Sequence, residues 1–400
     1  MANFPKTLVN SAVLVASIAT VPFVSAADEA EFSLSTRTFY FNRDFREGPE
    51  DRVAMAQAFR ADYMSPTFAE RLRVGLTGLV NIKLDGRNND AATGVLRVEN
   101  DGSTTSSAKI GQAFVDVMLA EGVDVRVGRV IMGLPLLNDP DIRSTPGAHQ
   151  VAMLTGSVDS AEFYAVYSDE ARTRSDLSFD EFTSNGEDYE IVVVGGGYTA
   201  ENGLGVHASY GYADDYQRQI YLNTNYTFDL GEMRSLLLDF YHYDGEAEGN
   251  LYSNPDYNST MTNIAARYAM GNLKLLASFQ TIGGDDAYDF AWGGSDQTLP
   301  GVWNSVQFND FNRKDEDSYQ LRADYVFPGV PGLKGLIRHV EGTYEVGTTE
   351  VDETETNVDM TYTLPDGSLQ GMSFRVRYAH IEADAYSDID ELRLMMNYTF

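Results

Sequence analysis

The 400-residue sequence contains no cysteine, only 2 tryptophans, and 29 basic side chains against 60 acidic ones. The absence of cysteine excludes a disulfide framework and any cysteine-based metal site. The net charge of −31 excludes a protein that binds nucleic acid through clustered lysines and arginines. Such an acidic composition is often disordered, but an aromatic content of 12% favours a folded chain.

Beyond residue 27 the sequence also lacks an apolar run long enough for a transmembrane helix. Before that point, Lys6 is followed by an uncharged segment with an apolar centre, which ends in the small residues Val24-Ser25-Ala26. This pattern is typical of a secretory signal peptide and predicts cleavage after Ala26. The alternative is a membrane anchor, which the polar residues within the run and the missing basic flank disfavour. Residues 1–26 are therefore expected to be removed, leaving 27–400 as one exported domain.

The sequence does contain many segments in which apolar and polar residues alternate. Between residues 72 and 84 one face carries Leu72, Val74, Leu76, Val80, Ile82 and Leu84, while the other carries Arg73, Thr77, Asn81 and Lys83. Residues 320–327, 372–379 and 392–400 alternate in the same way. A period of two predicts β-strands. Charged residues on the second face would be costly in a dry sandwich core, so that face is expected to meet water.

The alternating segments give eighteen strand candidates, separated in turn by tight turns and by long polar connections. The long connections are residues 85–107, 131–150, 169–188, 244–261, 282–316 and 343–356. A repeat of about 21 residues suits a membrane strand plus its connection. The sequence therefore predicts an all-β fold, a transmembrane antiparallel up-and-down barrel with long outer loops and short periplasmic turns. The alternative is a secreted β-protein such as a solenoid, which the lack of a fixed short repeat disfavours.

Several motifs resemble the outer-membrane porin D (OprD) family of substrate-selective channels. They lie at residues 37–44, 214–227, 304–312, 329–333, 373–377 and 391–394, and the resemblance extends from about residue 32 to 400. It implies an 18-stranded, monomeric barrel in the outer membrane of a Gram-negative bacterium. It also implies a pore that is narrowed by the third outer loop and admits small carboxylate-bearing solutes.

Arginines are the first candidate functional residues. Alternation assigns Arg73, Lys83, Arg322, Arg338, Arg375, Arg377 and Arg393 to the polar face, together with Asp324. A guanidinium matches the geometry of a carboxylate, so a lumenal series could pass such a group along. The resemblance identifies the counterparts of the family's basic ladder as Arg43, Arg52, Arg375, Arg377 and Arg393. The alternative is that these are ordinary lumenal charges, paired with Asp324 or Asp116.

The connection 131–150 differs from the other long ones because it combines apolar residues with three prolines. That composition predicts a loop packed against other parts of the protein. The resemblance implies that this is the constriction loop, folded into the pore, with Asp139, Asp141, Arg143 and His149 as candidate eyelet groups. The alternative is an ordered loop on the surface.

Acidic residues crowd two further connections, 282–316 and 343–356. Most of these carboxylates are expected to be solvated, where they could meet divalent cations among the lipopolysaccharide. The resemblance assigns Asp310 to an acidic pocket near the constriction. Phe308 occupies a position where the family often has tyrosine, so the pocket lacks that hydroxyl.

The sequence thus predicts a passive porin for small carboxylate-bearing solutes, such as amino acids, peptides or organic acids. Its expected partners are these solutes and the outer-membrane lipid and lipopolysaccharide, with no cofactor, metal or nucleic acid. Two alternatives remain: a non-conducting structural or adhesive barrel, and a barrel-borne serine hydrolase. A hydrolase needs a histidine beside its serine, and none of the five histidines stands in a nucleophile motif. The chain is therefore not expected to be an enzyme.

Overall fold

The computed structural model describes residues 29–86, 93–294 and 296–400. The predicted signal peptide lies outside these residues. In the part of the chain that is described, no helix is long and apolar enough to cross a membrane.

The described residues form 24 strands. The first twelve are β1 (Glu31–Phe45), β2 (Arg52–Met64), β3 (Leu72–Gly86), β4 (Arg97–Val98), β5 (Thr104–Thr105), β6 (Ser107–Ala120), β7 (Val123–Val130), β8 (Gly133–Leu134), β9 (Leu137–Asn138), β10 (Ala148–Val158), β11 (Ala161–Arg172) and β12 (Asp180–Ser184). The others are β13 (Glu187–Tyr189), β14 (Ile191–Thr199), β15 (Gly205–Ala213), β16 (Gln217–Gly231), β17 (Arg234–Ala247), β18 (Asn258–Met270), β19 (Leu273–Gly284), β20 (Asp317–Val326), β21 (Leu333–Val346), β22 (Thr349–Thr363), β23 (Ser373–Ala383) and β24 (Ile389–Thr399).

Eighteen of these strands form a closed antiparallel ring. Each pairs with its neighbours in chain order, and β1 pairs with both β2 and β24. The seam between β1 and β24 is continuous from Ser35, opposite Thr399, to Phe45, opposite Ile389. The other six strands, β4, β5, β8, β9, β12 and β13, form small hairpins within three of the connections. The predicted 18-stranded up-and-down barrel is confirmed, and closure leaves no unpaired sheet edge in lipid.

The connections differ at the two ends of the barrel. At the end where β1 begins and β24 ends, here called the turn rim, they are as short as residues 121–122 and 159–160. At the opposite end, the loop rim, they include the long segments 131–147 and 285–316. One predicted loop is wrong, because 343–356 belongs to β21 and β22, which meet at a tight turn over 347–348. Glu353 and Glu355 are consequently buried, inward-facing strand residues.

The two faces of the strands have the predicted characters. On β3, Leu72 and Leu76 are exposed on the outside, whereas Arg73 and Asn81 are buried on the inside. The outer residues of the other strands continue this apolar surface around the barrel. A lysine or arginine on such a surface costs about 2–4 kcal/mol at the membrane midplane. The outer face is therefore the lipid-facing one.

The hydrophobic core lies inside the barrel rather than between sheets. Leu134, Leu136 and Leu137 of the 131–147 loop are buried against the inner walls of β10, β11 and β14–β17. Trp292 and Trp303 of the 285–316 loop belong to the same cluster. Both loops thus fold into the lumen, where the 285–316 loop also contacts the inner walls of β18–β20, β22 and β24.

The prediction that the carboxylates of 282–316 are mostly solvated is wrong in part. Asp285 and Asp315 are exposed, but Asp296 and Glu316 are buried. They are buried because the loop folds inward. Glu355 of β22 helps to hold it there, since its carboxylate accepts hydrogen bonds from the backbone N–H groups of residues 307–309 at 2.8–3.1 Å.

Candidate functional site

Arginines from several strands fall into one register row on the inner wall. Direct pairing joins, strand by strand from β18 to β2, Arg267, Leu276, Arg322, Arg338, Asn357, Ala379, Glu391, Arg43 and Arg52. Residues directly opposite in neighbouring strands share a face of the sheet, so all nine face the lumen. We call this series the arginine row.

The arginine row climbs from one rim of the barrel to the other. Arg267 lies three residues from the turn-rim end of β18, whereas Arg52 is the first residue of β2 at the loop rim. Eight steps between strands about 4.8 Å apart cover about 38 Å of wall. Because strands of such barrels tilt by about 35–45°, a row across them rises by about 25 Å along the axis. The row therefore spans the pore.

Carboxylates hold Arg43 of the row and three neighbouring arginines in place, and each of two carboxylates serves two arginines. Asp359 accepts a hydrogen bond from Arg375 Nε at 2.9 Å and lies 3.3 Å from Arg377 Nε. Glu391 lies 2.5 Å from Arg43 Nη2 and 2.6 Å from Arg393 Nη2. Cations therefore outnumber anions along this part of the wall.

The five predicted ladder residues all lie on the inner wall, with different accessibility. The side chain of Arg375 is 40% exposed, and Arg43 and Arg377 are partly accessible. Arg52 packs over the ring of Phe45 at 5.2 Å. Arg393 is only 2% exposed and donates to the carbonyl of Gln307 at 2.7 Å, so it supports the 285–316 loop.

The additional lumenal charges divide into members and non-members of the arginine row. Arg322 forms a pair with Asp324 at 2.5 Å, and Arg338 donates to Asn357 at 2.6 Å. Arg73 lies apart, at the turn rim, where it bonds the carbonyl of Ser65. Lys83 lies near the loop rim and bonds Thr104. Asp116 pairs with Arg126, outside the row.

The 131–147 loop crosses the lumen and reaches β1. Arg37 Nη1 lies 2.6 Å from Asp141 Oδ1 and also donates to the carbonyl of Arg143 at 2.7 Å. Of the four predicted eyelet residues, Asp141 alone has a substantially exposed side chain, at 42%. Arg143 is 8% exposed and bonds the carbonyl of Thr93. Burial, reinforced by the nearby Arg393, holds the pKa of Arg143 well below its usual range.

Asp139 and His149 are buried and bond to each other, with Nδ1 of the imidazole 3.0 Å from Oδ2. They therefore hold the loop rather than face the lumen.

Besides Arg143, a second guanidinium lies near the loop, that of Arg174, whose Nε donates to Gln297 Oε1 at 2.6 Å. Burial lowers the pKa of Arg174 to about 10. Arg143 and Arg174 both line a polar cavity of about 270 Å³.

Asp310 lies half-buried in the 285–316 loop and accepts a hydrogen bond from Ser305. Burial raises the pKa of Asp310 to about 6, against the effect of that hydrogen bond, and the neighbouring Glu355 adds to the rise. Phe308 lies against Arg43, whose guanidinium carbon is 4.6 Å from the ring centroid. The phenylalanine therefore offers the arginine a ring face in place of a hydroxyl.

The inner wall beside the start of the arginine row carries tyrosines on β16 and β17. A cavity of about 570 Å³ lies between the 131–147 loop, residues 299–301 and the inner tyrosines of β16 and β17. Those tyrosines are Tyr221, Tyr241 and Tyr243. The cavity therefore lies close to β18, on which the arginine row begins, and its three tyrosines are at most 3% exposed.

Sequence reasoning missed several members of this site. Arg267 and Arg37 lie in strands whose alternation could have revealed them, because each faces inward between outward-facing neighbours. Glu355 was assigned to a loop, and Arg174 lies in a connection that offers no periodic signal. Within the described ranges, no cluster of three or more histidine, aspartate or glutamate side chains could hold a metal ion.

Comparison with known proteins gives a consistent result. Residues 26–400 match the family model "outer membrane porin, OprD family". The chain is 28% identical to Porin D of Pseudomonas aeruginosa over 408 residues, which covers 93% of this chain and 90% of the relative. It is 26% identical to the porin-like protein GalP of Pseudomonas putida, with 93% and 92% covered.

Solved structures share the fold. OccK9 (OpdG) of Pseudomonas aeruginosa is similar with a TM-score of 0.87 at 24% identity, covering 94% of this chain and 100% of that one. OpdK of the same organism, in a structure with vanillate, gives a TM-score of 0.83 at 21% identity, with 94% and 100% covered. The family match over nearly the whole chain decides the assignment. This chain belongs to the OprD family of porins, channels of the Gram-negative outer membrane.

Proposed function

We propose that this porin mediates the passive, selective uptake of small carboxylate-bearing solutes, such as amino acids, peptides or organic acids. The observation that carries the proposal is the arginine row, which extends along the inner wall from Arg267 near the turn rim to Arg52 at the loop rim. Between Arg338 and Arg43 the row itself has no arginine, and the guanidiniums there belong to Arg377 and Arg393, which lie two residues closer to the turn rim on β23 and β24. The proposal assigns the barrel transport and no catalysis.

The carboxylates that pair with these arginines support rapid exchange of a solute carboxylate from one guanidinium to the next. Conduction requires a site that binds well enough to admit the solute and weakly enough to release it. Asp359 competes with a solute carboxylate for Arg375 and Arg377, and Glu391 competes for Arg43. These internal anions also orient the guanidiniums, so less conformational entropy is lost when a solute binds.

We propose that the 131–147 loop is the constriction. Its contact from Asp141 to Arg37 bridges the lumen between the loop and β1. This contact sets a cation and an anion side by side at the narrowing, which favours zwitterions and amphipathic carboxylates over simple inorganic anions. A related barrel, OpdK, has been solved with vanillate, which is an aromatic carboxylate.

The decisive experiment is single-channel recording in planar bilayers with added millimolar carboxylates. We expect solute-dependent blocking in the wild type, and a loss of that blocking in Arg375→Ala/Arg377→Ala. The matched control is Arg234→Ala, because Arg234 lies at the turn rim beside Glu232, away from the row and from the neighbouring Arg375 and Arg377. Blocking that persists unchanged in the double variant would refute the arginine path. A barrel that never conducts would favour the structural or adhesive alternative.

We further propose that the porin functions as a monomer, because the ring is closed by β1 and β24 and needs no partner strand. Outer-membrane lipid and lipopolysaccharide would then cover its apolar surface. Chemical cross-linking in native membranes tests this, and a reproducible cross-linked dimer or trimer would contradict it.

A further inference from the structure

A buried histidine joins the two inward loops to the barrel wall. His149, the second residue of β10, lies between Asp139 of the 131–147 loop and Asp296 of the 285–316 loop. Its Nδ1 is 3.0 Å from Asp139 Oδ2, and its Nε2 is 3.3 Å from Asp296 Oδ1. The three side chains are at most 2% exposed, so neither bulk water nor a solute reaches them.

The carboxylates beside both ring nitrogens favour a positively charged imidazole. An ionised carboxylate only accepts hydrogen bonds, and a neutral imidazole has a single N–H to donate. Asp139 is hydrogen-bonded to Nδ1, and Asp296 lies 3.3 Å from Nε2 as an ion-pair partner without a hydrogen bond, so the two carboxylates favour the doubly protonated imidazolium. Phe182 lies roughly parallel to the ring, with the two centroids 6.2 Å apart, and closes one of its faces.

Each aspartate also organises the backbone of its own loop. Asp139 Oδ2 accepts a hydrogen bond from the N–H of Met132 at 2.8 Å. Asp296 accepts from the N–H groups of Trp292 and Thr298, both at 3.0 Å. His149 therefore links two loop segments that are already internally ordered. Loss of the imidazolium would leave two buried carboxylates facing each other across the gap.

The clamped residues lie directly beside the pore lining. Asn138, Asp141 and Leu299 all line the cavity of about 570 Å³, and each is within three residues of Asp139 or Asp296. Direct contacts tie the loops together there, since Asn138 donates to the carbonyl of Leu299 at 3.0 Å. A shift of either aspartate toward water would move this lining.

We propose that His149 is a positioning residue that sets the aperture of the pore. Its imidazolium clamps both inward loops to β10, and the width left between the 131–147 loop and the tyrosine wall follows from that clamp. This rests on the barrel conducting and does not depend on which solute it prefers. His149 was expected from the sequence as an eyelet group, whereas its burial assigns it to the support of the eyelet.

The test compares His149→Gln with the wild type, using the full mature chain in planar bilayers and in vesicles. We expect His149→Gln to raise the open-channel conductance and to admit larger neutral sugars in vesicle-swelling assays. Both tryptophans of the protein lie in the 285–316 loop, so their emission should also shift to longer wavelength. The matched control is His339→Gln, since His339 faces outward and bonds Thr356 at 2.8 Å.

A rescue experiment separates the clamp from a general packing role. In His149→Gln/Asp139→Asn/Asp296→Asn no buried carboxylate remains unpaired, so conductance should return toward the wild-type value. The proposal would be overturned if the triple variant had the same raised conductance as His149→Gln. It would also be overturned if His149→Gln itself had the conductance and the sugar size limit of the wild type.

If His149→Gln does not fold, as judged by the heat-dependent shift of barrels in SDS gels, Asp296→Asn replaces it. That variant keeps the histidine and removes one of the two charges it bridges. It should also widen the pore, and an unchanged pore would overturn the clamp. If the wild type does not conduct at all, the function proposed above fails, and the tryptophan emission still reports on the clamp.

Discussion

Glu355 offers the sharpest test of how the 285–316 loop is held inside the barrel. Its carboxylate, which has no solvent exposure, accepts hydrogen bonds from the N–H groups of Gln307, Phe308 and Asn309. It also accepts from Asn357 Nδ2 at 2.7 Å. Glu355→Ala removes the acceptor for three consecutive backbone donors that a folded loop cannot redirect.

The magnitude follows from those three contacts. Hydrogen bonds to a charged group contribute about 1.5–3 kcal/mol each, so the gross loss is about 4.5–9 kcal/mol. Two effects offset part of this gross loss. Water can enter the vacated space, and the variant no longer bears the free-energy cost of burying a carboxylate. Removing one partner of a buried charged group costs about 3–5 kcal/mol in measured cases. We therefore expect the docked state of the loop to lose about 3 kcal/mol, which is a factor of more than 100 in its population.

The assay uses the two tryptophans, both of which lie in this loop. Trp292 Nε1 donates to the carbonyl of Leu136 at 2.5 Å, and Trp303 Nε1 donates to Asp239 Oδ2 at 2.9 Å. Undocking should shift their emission to longer wavelength and open them to acrylamide, while the circular dichroism of the barrel stays the same. The control is Glu350→Ala, an exposed glutamate on the same strand. Emission and quenching equal to the wild type would show that Glu355 does not hold the loop.

Three further outcomes are expected. Because burial raises the pKa of Asp310 to about 6, this carboxylate is charged above pH 6 and neutral below it; the cation-to-anion permeability ratio should fall between pH 7.5 and 5, and Asp310→Asn should flatten that profile. Leu76→Arg places a charge on the apolar face of β3 and should cost about 2–4 kcal/mol in equilibrium folding into lipid vesicles, whereas a wild-type value would show that this face does not meet hydrocarbon. N-terminal sequencing of the exported protein should begin at Ala27, and an intact Met1 would contradict the signal peptide.

The strands could be predicted from the sequence because one physical rule governs them. Lipid on one side and water on the other impose a period of two, which β3 shows from Leu72 to Leu84. The rule fails where a strand leaves the membrane. β22 extends toward the loop rim with polar residues on both faces, such as Asp352 and Glu353, so nothing there resembles a membrane strand. That is why residues 343–356 were assigned to a loop.

The candidate site could be predicted less well, because it depends on register. Alternation shows that Arg322 and Arg338 face inward, but not that they lie directly opposite each other. A shift of one residue between two strands reverses every side chain, and a shift of two breaks the row while leaving the alternation intact. Register is set by turns and bulges, such as the irregularity between Met55 and Ala56. One sequence does not reveal it.

The same reasoning explains how so acidic a protein can carry a cationic path. The net charge of −31 counts every carboxylate equally, although they act in different ways. Exposed ones such as Asp285 are solvated and screened at distances beyond about 10 Å. Buried ones such as Glu391 and Asp359 lie beside guanidiniums, where they keep the arginines extended and oriented. A guanidinium at the turn rim is held in the same way, since Arg73 Nη2 lies 2.9 Å from Glu31 Oε1. The inner carboxylates therefore position the guanidiniums beside them, and their number gives no indication of which ions the pore prefers.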